Sequence, residues 1–111
     1  MRLAIALALV LASAPAGAAT NFLLVNGTDG AMAGVSIRRV GTKDWKPLGH
    51  SPSAGGRAEV AFDDPDCAFD LQAQSVDGKP ITWTGVNLCD VKSVTLKRDS
   101  ATGPWVDYDA P

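Results

Sequence analysis

A chain of 111 residues with ten basic and twelve acidic side chains is long enough for one compact domain and too short for two. Its formal charge of −2 offers no positive footprint for nucleic acid or an anionic membrane surface. Two cysteines without a Cys-x-x-Cys spacing, beside a single histidine, argue against a redox or zinc pair.

The chain opens with Arg2, an apolar run over 3–12, and then Ser13, Pro15 and Gly17 among alanines. This is the order of a secretory signal peptide, and residues 1–19 are assigned to it, with cleavage expected after Ala18 or Ala19. The run is about ten residues, half of what a spanning helix needs, so no integral membrane anchor is expected. No cysteine lies near the cleavage zone to carry a lipid. A periplasmic or secreted soluble domain follows, and loss of Arg2 leaves nine basic against twelve acidic residues, a formal charge of −3.

Eleven of the twelve acidic residues are aspartate and only Glu59 is glutamate. Aspartate favours turns and caps, whereas glutamate favours helices, so the mature chain reads as all-β. The first strand is expected over 21–25, ended by the turn residues Asn26-Gly27-Thr28-Asp29-Gly30. Asn26-Gly27-Thr28 also fits a glycosylation acceptor, but in this context it reads as a turn. Residues 34–40 follow, with Val35 and Ile37 alternating against Ser36 and Arg38. Pro47 makes 45–48 an edge strand or extended loop, and residues 49–56 read as loop.

Residues 57–62 turn Ala58, Val60 and Phe62 inward before Asp63-Asp64-Pro65-Asp66 ends the strand. The clearest strand is 67–76, with Cys67, Phe69, Leu71 and Ala73 on one face and Ala68, Asp70, Gln72 and Gln74 on the other. Asp77-Gly78 supplies a two-residue hairpin turn, 81–84 the return strand, and 91–98 a further one. About six or seven short strands at such intervals predict a small antiparallel β-sandwich, Ig-like, or an open barrel. The stapled domain is assigned to 20–98 and an irregular tail to 99–111.

Export places Cys67 and Cys89 where disulfides persist, and only one intramolecular pairing exists. A hairpin centred on Asp77-Gly78 sets Cys67 opposite Leu88, so a one-residue bulge near Gly85 is expected to bring Cys89 into line. Closing about twenty residues stabilises the fold by about 3 kcal/mol in the chain-entropy view.

Any triad must use His50, which lies in a Gly-Ser-Pro loop. The acidic residues Asp63, Asp64, Asp66 and Asp70 form the other candidate, for a hard cation, but without EF-hand spacing. Together they frame one alternative, a small hydrolase or metal-dependent enzyme. No cofactor is expected otherwise. Trp83 shares parity with Ile81 and is assigned to the core, which leaves Trp45 and Trp105 as candidate binding aromatics. Arg38 and Arg39 are adjacent on a strand and point to opposite faces.

Val25-Asn26-Gly27-Thr28, Trp45 with Leu48, Val60-Ala61-Phe62-Asp63, Cys67-Ala68-Phe69-Asp70-Leu71, Asp77-Gly78 and Val86-Asn87-Leu88-Cys89 span about 21–97. In these segments the chain resembles a family of small exported bacterial two-cysteine β-domain proteins of uncharacterised function. Some members carry enzyme names such as argininosuccinate lyase, a large helical enzyme that a short β domain does not match. The resemblance implies export and a shared β fold, and it carries over no catalytic residue. The leading expectation is a monomeric, non-catalytic module that binds an unknown protein or small-molecule ligand at a sheet edge or through its loops. A structural envelope role without a small ligand is the third reading.

Overall fold

The computed structural model describes residues 18–111, so the signal-peptide assignment lies, as far as Gly17, outside the described residues. Among the described residues the chain is all-β, with two four-stranded sheets packed face to face and no closed barrel. The first sheet has the order β4-β1-β7-β8 and is built from Arg57–Val60, Phe22–Asn26, Ser93–Asp99 and Gly103–Asp109. The second has the order β3-β2-β5-β6 and is built from Lys46–Pro47, Ala33–Arg39, Ala68–Gln74 and Pro80–Asn87.

Period-two patterning accounts for the core. Phe22, Leu24, Val60, Val94 and Leu96 face inward from the first sheet, and Val35, Ile37, Phe69, Leu71, Ala73, Ile81, Trp83 and Val86 meet them from the second. Trp83 is buried as its parity predicts, and its indole N–H donates to the Lys97 carbonyl at 2.8 Å. Phe62 lies just beyond β4 and joins the sheets edge-on, 5.9 Å from the Phe22 ring and 5.3 Å from that of Phe69.

Three expectations need correction. The tail is not irregular, because Gly103–Asp109 forms β8 in continuous antiparallel register with β7, from Asp99↔Gly103 to Ser93↔Asp109. The turn at Ser100, Ala101 and Thr102 hid a hairpin in which Val106 and Tyr108, the partners of Leu96 and Val94, are spaced by a single aspartate. The sandwich is also not purely antiparallel, since β1 runs parallel to β7. First and seventh strands meet only after the chain has built the opposite sheet, a pairing that no local pattern encodes.

The third correction concerns the β5–β6 hairpin. The Ser75 N–H bonds the Lys79 carbonyl and the Gly78 N–H bonds the Ser75 carbonyl, each at 2.9 Å, so the loop holds three residues, Val76, Asp77 and Gly78. Gly78 takes the left-handed conformation that this loop needs, with φ 82°. The longer loop shifts the register back by one, to Leu71↔Trp83. A bulge opposite Asp70 then shifts it forward, to Phe69↔Val86, with Gly85 at φ 64°. The two shifts cancel at the open end, where the Leu88 N–H bonds the Cys67 carbonyl at 2.9 Å. Cys89 therefore reaches Cys67 diagonally, with a Cα–Cα distance of 5.1 Å in the disulfide.

Candidate functional site

The two arginines that end β2 build the most developed polar constellation. Arg39 shares the parity of Val35 and Ile37 and pairs with the core residue Phe69, but its own side chain is 48% exposed. Its Nη2 meets Asp64 Oδ1 at 3.0 Å, and its Nε lies 3.3 Å from Asp64 Oδ2 and 3.2 Å from Asp66 Oδ2. A fork of this kind matches a carboxylate in two places, so Arg39 ties the second sheet to the loop that leaves β4. Arg38, on the outer face, donates from Nε to Asp70 Oδ2 at 3.0 Å and lies 4.3 Å from the centroid of Trp45.

These contacts alter the carboxylates. Burial acts on Asp64 most strongly and raises its pKa. The Asp66 N–H, the hydrogen bond and charge of Arg39, and the charge of Lys46 together outweigh it, so Asp64 titrates below the ordinary carboxylate value. The hydrogen bond that Arg39 donates to Asp64 and the charges of Asp64 and Asp66 raise the arginine in turn. Asp70 lies on the face of β5 opposite Phe69 and Leu71, yet it is 5% exposed. Its second oxygen accepts the Gly85 N–H at 3.0 Å, so the bulge and Arg38 enclose it.

Around Arg39 lies an open cleft of ≈ 360 Å³ at the β2–β3 edge. Ile37, Phe62 and Phe69 give it an apolar floor, and Arg38, Arg39, Lys46, Asp44 and Asp64 give it a charged rim. That volume is at the small end of ligand sites. Period-two patterning and charge counting do not reveal this cleft. Lys46 and Asp44 belong to a short edge segment, while Asp64 and Phe62 belong to a loop of the other sheet, and only the sandwich brings them together.

The residues singled out in the sequence are dispersed. Trp45 is half-buried under Arg38 on the outside of the second sheet. Trp105 is 43% exposed on β8, with the Lys97 ammonium 5.4 Å from its ring centroid. The two tryptophans stand on different sheets and do not form one stacking surface. His50 is exposed in the loop between β3 and β4 and is not among the residues lining the cleft. Of the acidic cluster, Asp64, Asp66 and Asp70 are engaged by arginine, and Asp63 is exposed. Among the described residues no group of three or more His, Cys, Asp or Glu is placed to hold a metal ion. Likewise, no helix among them is long and apolar enough to cross a membrane.

Asn26 went unrecognised in the sequence as more than a turn residue. Its side chain is wholly buried, and its Nδ2 donates to the carbonyls of Gly30 and Pro52, each at 3.0 Å. Its Oδ1 accepts the Thr28 N–H at 3.0 Å and the Thr28 hydroxyl at 2.6 Å. Every hydrogen-bonding position of the amide is used, which fastens the β1–β2 turn to the loop before β4.

No family model matches the chain, and no curated protein matches it. Among solved structures it is similar to the NMR structure of a protein from Eubacterium rectale, at 14% identity and a TM-score of 0.56, over 84% of this chain and 90% of that one. At that identity the likeness establishes the fold alone, and neither it nor the Cys67–Cys89 disulfide supports an enzyme name.

Proposed function

We propose that the chain is an exported bacterial binding module with no catalytic role, which works as a monomer in the periplasm or outside the cell. Its ligand, a small molecule or a short segment of a partner protein, sits in the Arg38–Arg39 cleft. The observation that carries this reading is the cleft's combination of an apolar floor with a rim of opposite charges. Such a lining suits an amphipathic ligand that lays an apolar group on Phe62 and Phe69 and turns a polar group toward Lys46. The disulfide supports the export part of the reading, because such bonds persist in oxidising compartments.

The engagement of the carboxylates supports a binding role over the hydrolase or metal-enzyme alternative. Asp64 and Asp70 each commit lone pairs of both carboxylate oxygens to arginine and backbone N–H groups. A general base or a hard-cation ligand needs those lone pairs free.

The test is a titration of the isotope-labelled exported protein with a library of small amphipathic molecules, followed by NMR. Binders are expected to move the amide signals of Ile37, Thr42 and Lys46 together, and Thr42→Trp, which fills the cleft, is expected to abolish the shifts. Binders that move signals elsewhere, or that tolerate Thr42→Trp, would overturn the assignment.

A further inference from the structure

We infer that the signal peptide is cut between Ala18 and Ala19, and that Ala19 then serves as the N-terminal residue of the mature domain and as part of its core. The inference rests on the export reading and sharpens it to one bond. Cleavage after Ala18 and cleavage after Ala19 are equivalent by sequence, since Ala16-Gly17-Ala18 and Gly17-Ala18-Ala19 both offer small residues at the positions that matter. The fold makes them unequal.

Ala19 is completely buried and belongs to the core cluster. It forms antiparallel bridges to Asp64 and to Cys89, and so lies between the segment leaving β4 and the segment leaving β6. Its N–H donates to the Asp64 carbonyl at 2.8 Å, and its carbonyl accepts the Asp64 N–H at 3.0 Å. Ala19 thus closes the end of the sandwich beside the disulfide, directly behind the loop that holds Arg39. A cut after Ala19 would remove both hydrogen bonds, leave the Asp64 backbone without its partner and uncover Cys89. A cut after Ala18 removes none of them.

The charge created by the cut is also accommodated. Hydrolysis of the Ala18–Ala19 bond adds one water across it, which leaves a carboxylate on Ala18 of the released leader and an ammonium on Ala19. An ammonium nitrogen still donates to the Asp64 carbonyl. Ala18 lines a cavity whose other walls carry Glu59, Asp63 and Asp90 against Lys92, so the new positive charge arises in a setting of net negative charge.

The experiment is expression of the full chain in an exporting bacterium, isolation of the exported protein, and N-terminal sequencing with intact mass. The expected mature sequence begins Ala19-Thr20-Asn21-Phe22. A chain beginning at Thr20 or at Gly17 would overturn the inference while leaving export intact. Recovery only of chains that retain residues 1–17 would overturn the export reading itself, and this inference with it.

Discussion

Asp70 Oδ1 accepts the Gly85 N–H at 3.0 Å, so a side chain of β5 closes the bulge in its neighbour β6. The other oxygen holds Arg38, which in turn lies against Trp45. Asp70→Ala removes the acceptor and leaves a part-buried cation without its partner. It is expected to cost about 2–4 kcal/mol, read from urea unfolding. Asp70→Asn keeps an acceptor for Gly85 and should fall between the parent and the alanine variant. An alanine variant as stable as the parent would show that the bulge needs no side chain to close it.

Asn26 gives a sharper contrast. In Asn26→Asp, an acceptor replaces the amide nitrogen that now donates to two carbonyls. The variant should lose about 3 kcal/mol at neutral pH and regain part of it in acid, where the carboxyl group can again donate once. Thermal melts at pH 7 and pH 3 measure both effects. A variant whose melting temperature matches the parent at pH 7 would contradict the buried network.

Reduction of the Cys67–Cys89 bond opens a loop with a sequence separation of 22. The chain-entropy account gives a loss of about 3 kcal/mol, which should appear as a lower melting temperature in reductant and equally in a Cys67→Ser/Cys89→Ser double variant. Addition of reductant to that double variant should change nothing. A further drop there would place the effect outside the disulfide.

The Asp64–Arg39 contact predicts a direction with pH. The folded-state pKa of Asp64 lies below its ordinary value of 3.8, so the pair contributes fully above that value and fades as the pH falls through the lowered one. The parent should therefore lose stability in acid more steeply than Asp64→Asn, in which the titrating group is gone. Parallel curves from pH 6 to pH 2 would show that the contact contributes nothing, as is common for partly exposed pairs.

A stop after Asp99 tests the role of β8. Val106 and Tyr108 pair with the fully buried Leu96 and Val94, and the Tyr108 oxygen accepts the Asn87 N–H of the other sheet at 2.9 Å. Truncation strips one edge of the first sheet and should cost several kcal/mol on the scale of about 25 cal/mol per Å² of uncovered apolar area. Loss of near-ultraviolet circular dichroism, or a broadened melt, would register it. An unchanged melt would return the tail to the status of an appendage.

By itself the sequence determined the class of the fold. Alternation of apolar and polar residues sets strand faces locally, so the inward positions of β2, β4 and β5, the core role of Trp83, the disulfide partners and a bulge at Gly85 were all legible. Tertiary structure decided whatever depends on which strands are neighbours. The parallel pairing of β1 with β7, the burial of Asp70 and Asn26, and the cleft that gathers Lys46 with Phe62 and Asp64 join residues far apart in the chain. The same holds for Ala19, an alanine among alanines in sequence, which is distinguished only by the two segments that close over it. The physical reason is that period and propensity act over a few residues, whereas burial and pairing depend on chain segments that meet only when the sandwich closes.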